Sequence, residues 1–100
     1  MRRKPNTSKE GNRWSEKTIK TVWSMGGLVS GHSPEVWRLD VCGKRMKWAE
    51  HGNRLSNYGW EIDHIVPVSK GGGDGLENLQ PLHWKNNSAK GDQLKWECSE

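Results

Sequence analysis

Residues 60–92 read WEIDHIVPVSKGGGDGLENLQPLHWKNNSAKGD, and the periodicity and punctuation of this stretch decide the fold. Ile62, His64, Val66 and Val68 fall on one face of an extended strand, because successive strand side chains point to opposite faces. Pro67, which has no N–H to give a ladder, marks the strand's end. Ser69 to Gly75 holds four glycines in seven residues, a composition that predicts a flexible connection. Leu76 to Leu82 then permits a return strand, and Trp84 to Lys90 a helix. The order is strand, loop, strand, helix.

Upstream, His51 to Tyr58 reads as loop. Val36 to Trp48 (VWRLDVCGKRMKW) reads as two short strands about Cys42-Gly43, since glycine takes the positive φ that a tight turn needs. Trp14 to Met25 suits a short amphipathic helix, with Ser15 as N-cap, Glu16 in the first turn, apolar residues at 19, 22 and 23, and Gly26-Gly27 as its stop. Residues 1–13 carry Arg2, Arg3, Lys4, Lys9 and Arg13 among small polar residues; this is too polar to fold alone and predicts a basic, flexible arm. Residues 14–100 are expected to form one domain, with its core motif at 60–92. No internal repeat is present.

Composition sets further bounds. A 100-residue chain of this size hides about 60 to 65% of its surface on folding, so the core must be small. Mean hydropathy is −1.01, yet there are seven Trp, one Tyr and no Phe, so burial must rely on indole rings in clusters. Trp37, Trp48, Trp60, Trp84 and Trp96 are the expected packing residues. A net charge of +4 and a pI near 9.3 favour a polyanionic partner. Cys42 and Cys98 belong to no CxxC pair; a disulfide framework or four-cysteine zinc site is not expected, and the simpler reading is a reduced, cytoplasmic protein with Cys42 as small core filler. Met1-Arg2-Arg3-Lys4 is followed by no apolar run, and no stretch approaches the ~20 apolar residues of a membrane span. No membrane partner is expected.

The stretch Trp60 to Asp92 resembles the HNH endonuclease family in its Asp-His pair, the Pro three residues after that His, the Gly-rich loop, the Asn-Leu pair, the helix Asn and the nearby Lys. Looser similarity reaches back through RLDVCGKRM and YGW to about Pro34. The resemblance implies an α+β fold built on the ββα-metal (HNH, or His-Me finger) motif, here with a small N-terminal helix and hairpin. It implies one divalent ion, Mg²⁺ or Mn²⁺ first and Zn²⁺ or Ni²⁺ second, held by Asp63 and Asn87. It makes His64 the general base, a task for which histidine is the usual side chain, and Asn78 a brace for the loop between the strands. Asn87 stands where the family's last letter is His or Asn. Lys90, three residues on, would hold the scissile phosphate, and His83, one turn before Asn87, would touch the metal or a phosphate. Asp63 and His64 alternate across a regular strand, so a shared centre requires a strand end or a distortion.

Many relatives carry two CxxC pairs for a structural zinc. Here Arg45 stands where the partner of Cys42 would be, and His83 and Asn86 occupy the spacing of the second pair, so that zinc is not expected. The implied partner is DNA, gripped mostly through phosphates by residues such as Arg45 and Arg54, with Arg2, Arg3, Lys4, Arg13, Lys44 and Lys47 as further contacts. A homodimer, or a phage or restriction assembly, is the further association in view. The alternative function is a nucleic-acid-binding accessory module of the same fold that does not cut.

Overall fold

The computed structural model describes residues 3–99; Arg2, read above as a phosphate contact, lies outside them. It contains two helices and two antiparallel hairpins. Helix α1 spans Glu16–Trp23, and Ser15 caps it by accepting from the Thr18 N–H. Strands β1 (Trp37–Leu39) and β2 (Arg45–Lys47) form the first hairpin, with Gly43 at φ 79° in its turn. Strands β3 (Trp60–His64) and β4 (Leu79–His83) form the second, and helix α2 (Trp84–Lys90) follows β4 without a break.

Strand β3 is shorter than its alternation suggested. The sequence extended it to Val68, but pairing stops at His64↔Leu79. Beyond it the Ile65 and Val66 N–H groups both turn to Asn78, one to its main-chain oxygen and one to its side chain. Pro81 sits in mid-strand opposite Ile62. The Ile62 N–H points away from β4, to Asn6, so this pair belongs to the outward-facing set, and the N–H that proline lacks is not missed by the ladder.

The core lies between α1 and the second hairpin. Val22, Trp23, Met46, Trp60, Ile62 and Leu79 are buried together, with Trp14, Ile19 and Trp48 packed against them. Trp23, Trp48 and Trp60 form a triangle with ring centroids 5.0 to 6.0 Å apart; the sequence predicts packing for Trp48 and Trp60, whereas it does not single out Trp23. Trp37 packs elsewhere, edge-on to Tyr58 at 4.9 Å. Asp40, at the end of the first hairpin, ties the two halves: Oδ1 accepts from the Cys42 and Lys44 N–H groups, and Oδ2 from His83 N–H and Asn86 Nδ2.

One expectation needs correction. Cys42 and Cys98 are joined in a disulfide, with Cα atoms 5.5 Å apart. The 56-residue separation hid this, because only the fold brings the hairpin turn against the segment after α2; the case for a reduced compartment falls with it. Asn6 and Lys9 of the N-terminal segment hydrogen-bond to His51, Ile62 and Asp74 of the domain. These contacts are hydrogen bonds between polar groups, in keeping with the segment's composition. Among the described residues, no helix is long and apolar enough to cross a membrane.

Candidate active site

A cleft of about 770 Å³ opens where the end of β3 meets α2 and the N-terminal segment. Asp63, His64, Asn87, Ser88 and Asp92 line it, and Arg3, Asn6, Lys9 and Arg54 face them. Asp63 and His64 border one cleft although they alternate along β3, because His64 is the strand's last residue; the strand end resolves the geometric objection raised by the sequence.

His64 is almost fully buried. Its Nε2 lies 2.8 Å from Asp74 Oδ1, and its ring packs 5.6 Å from that of Trp14. Burial pushes the Asp74 carboxyl up, but the hydrogen bonds from His64 and the Lys9 N–H outweigh this and hold it below the usual carboxylate range. An ionised carboxylate only accepts, so Nε2 carries the proton, and in the neutral ring Nδ1 keeps the lone pair. Among the described residues no group donates to that Nδ1.

Asp63 is buried beside a cation. Its Oδ1 lies 3.3 Å from Lys90 Nζ, and its Oδ2 accepts from Gln80 at 2.9 Å. Burial raises its pKa, against the pull of Gln80 and Lys90. Lys90, read from the sequence as a phosphate contact, is only 3% exposed and also donates to the His64 carbonyl at 2.9 Å. It is a built-in counter-charge, turned inward because the helix register that aligns it with Asn87 also faces β3.

Asn87 donates through Nδ2 to Glu61 Oε1 at 2.7 Å. Glu61 is itself gripped by Arg54, at 2.7 and 2.8 Å. Because a carboxylate can only accept, the amide cannot flip, and among the described residues its Oδ1 accepts no hydrogen bond. Arg54 therefore borders the cleft with its guanidinium already engaged, and it also lies over the Trp84 ring at 5.9 Å.

Asn78 does not border the cleft. Its side chain accepts from Val66 N–H and donates to the carbonyls of Val66 and Gly73, tying both ends of the loop that carries Asp74. Gly72 fits between, where a Cβ would collide with the Val66 carbonyl. His83 lies apart from the cleft and fully buried. Its Nε2 donates to Asn57 O at 2.7 Å and its Nδ1 accepts the Lys85 N–H at 3.0 Å, capping α2. Both ring nitrogens are thus engaged within the fold, and His83 is not among the residues that line the cleft. Arg45 is exposed on β2 and is not among the cleft residues.

Asp74, Glu61, Gln80 and Asn6 escaped the sequence reading. Glu61 carried a signal, an acidic residue two positions before Asp63 and thus on the same strand face. The others had none, since their partners are 10 to 56 residues distant.

As for cation binding, among the described residues no three His, Cys, Asp or Glu groups converge. The donors available are oxygens, the Asp63 carboxylate and the Asn87 amide. Both are hard oxygen donors, the class of ligand that divalent cations such as Mg²⁺ take.

A family model described as HNH endonuclease matches residues 40–93, more than half of the chain. No curated protein and no solved structure matches the chain.

Proposed function

The chain belongs to the HNH endonuclease family, and on that premise we propose that it is a divalent-metal-dependent endonuclease hydrolysing phosphodiester bonds in DNA. The observation that carries this reading is the His64–Asp74 pair at the edge of the cleft that Asp63 and Asn87 also line. A nucleic-acid binder needs neither an oriented imidazole nor adjacent oxygen ligands.

Asp63 and Asn87 would hold the ion, which would supply charge relief at the phosphoryl oxygens and the departing alkoxide. His64 Nδ1 takes the proton from the attacking water, and the imidazolium so formed is stabilised by Asp74. Attack on phosphorus breaks the bond to the 3′ oxygen, which takes a proton from solvent water, leaving a 3′-hydroxyl and a 5′-phosphate. Lys90 and Gln80 favour the ionised form of the Asp63 carboxyl against its burial, and Glu61 keeps the Asn87 amide oxygen presented. The exposed cations of the chain contribute salt-sensitive phosphate contacts with little base readout. In this reading β3, β4 and α2 form the ββα-metal motif.

The second reading, an accessory module that binds without cutting, draws on one feature: Lys90 already supplies Asp63 with a cation. Supercoiled-plasmid cleavage separates the two. Wild type and His64→Ala are compared with Mg²⁺, Mn²⁺, Zn²⁺ and EDTA. Cutting that is lost in EDTA and in the variant supports the nuclease; metal-independent binding without cutting supports the module.

A further inference from the structure

Residues 3–9 lie outside the family-matched region, yet Arg3, Pro5, Asn6 and Lys9 line the same cleft as Asp63, His64 and Asn87. The segment is fastened at two places. Asn6 Oδ1 accepts the Ile62 N–H at 2.8 Å on the open edge of β3, while its Nδ2 lies 3.1 Å from His51 Nε2. Asn6 does so at φ 60°, a left-handed conformation that asparagine tolerates better than most residues. The second fastening is the Lys9 main-chain N–H, which donates to Asp74 Oδ1 at 3.0 Å.

Asp74 is flanked by Gly71, Gly72, Gly73 and Gly75, so its backbone has little intrinsic order. Asn78 holds the Gly73 carbonyl, but the only partners of the Asp74 side chain among the described residues are His64 and the Lys9 N–H. One carboxylate oxygen thus joins the N-terminal segment to the ring of His64. We propose that the segment from Arg3 to Lys9 is a positioning strap for the active site: it fixes Asp74, and Asp74 orients the His64 ring.

The proposal rests on His64 being the base, and its test reads ring orientation separately from activity. The full-length, metal-free protein is labelled with ¹⁵N-histidine, and the ring nitrogens of His64 are compared in wild type, Asp74→Ala, Asp74→Asn, Asn6→Ala and Lys9→Pro. In wild type the ring is a single Nε2–H tautomer. In Asp74→Ala it becomes a mixture, whereas Asp74→Asn, which keeps an acceptor oxygen, restores much of the wild-type signal. Asn6→Ala and Lys9→Pro shift the signals the same way, by less. In parallel plasmid assays Asp74→Ala lowers kcat by roughly 10- to 100-fold with KM within about twofold, as for other partners that orient a functional side chain. Unchanged His64 signals in Asp74→Ala overturn the orienting role, and unchanged signals in both strap variants overturn the strap. A wild type that never cuts overturns the nuclease reading alone; the ring signals still decide the proposal.

Discussion

Asn87 Nδ2 donates to Glu61 Oε1 at 2.7 Å across the gap between α2 and β3, and this bond decides which end of the Asn87 amide faces away from the strand. Glu61→Gln replaces an obligate acceptor with an amide that presents either end, and it leaves Arg54 at most one of its two bonds. Mn²⁺ affinity, followed by titration calorimetry, is expected to fall roughly 10- to 100-fold. An unchanged affinity would separate Glu61 from the ion's surroundings.

Lys90 distinguishes a substrate contact from an internal counter-ion. Its ammonium is buried between Asp63 and the His64 carbonyl, so Lys90→Met leaves a buried carboxylate without its cation. Urea denaturation should show a loss of about 3 kcal/mol. A phosphate contact would instead raise KM and leave the urea midpoint in place.

Asp40 is expected to matter for stability and not for chemistry. Asp40→Ala orphans three backbone N–H groups and the Asn86 amide at the junction of the two hairpins. With a typical penalty of 1 to 3 kcal/mol per buried orphaned donor, partly recovered by water, the thermal melt should report a loss of about 3 kcal/mol.

Acid should weaken the fold from pH 6.5 downward. Burial lowers the pKa of His51, against the pull of Glu61, and that of His83, against its bond to Asn57. The unfolded chain, with histidines near 6.5, takes up protons first as pH falls. The stability from these rings is therefore fully present above about 6.5 and declines as pH drops toward the lower folded values. Urea midpoints at pH 7.5, 6.5 and 5.5 should fall in that order, and His83→Gln should lower all three while flattening the trend.

Reduction should loosen the C-terminal segment, which follows α2 without helix or strand. The Cys42–Cys98 bond closes a loop spanning 56 positions, for which chain entropy predicts about 4 kcal/mol of stabilisation. Melting with and without dithiothreitol measures it, and the paired Cys42→Ser, Cys98→Ser variant should match the reduced protein.

What was legible in the sequence was local. Ser15 and the apolar residues at 19, 22 and 23 announce α1, and Trp84 to Lys90 is read with the bounds that the structure gives. The Asp-His pair and the helix Asn mark three cleft residues through resemblance, because their spacing within β3 and α2 is fixed by those elements. What was not legible was reach. Alternation carried β3 to Val68, whereas Asn78, twelve residues on, captures the Val66 N–H and turns the chain away. Lys90 and His83 fit a phosphate-binding pattern by helical spacing, but spacing does not say that both side chains point inward. Asn6, 56 residues from Ile62, and Cys42, 56 from Cys98, have partners that no period in the sequence encodes.

Pro81 carries a last implication, for behaviour in a crowded solution. A two-stranded sheet has two open edges, each a template on which a foreign strand can zip. On β4 the outward position at Pro81 has no hydrogen to offer, and the one at His83 is taken by Asp40. On β3, Asn6 occupies the Ile62 N–H and Gly52 the Trp60 carbonyl. The hairpin that carries Asp63 and His64 is thereby blunted along both flanks, so self-association by strand addition is disfavoured where it would bury the cleft.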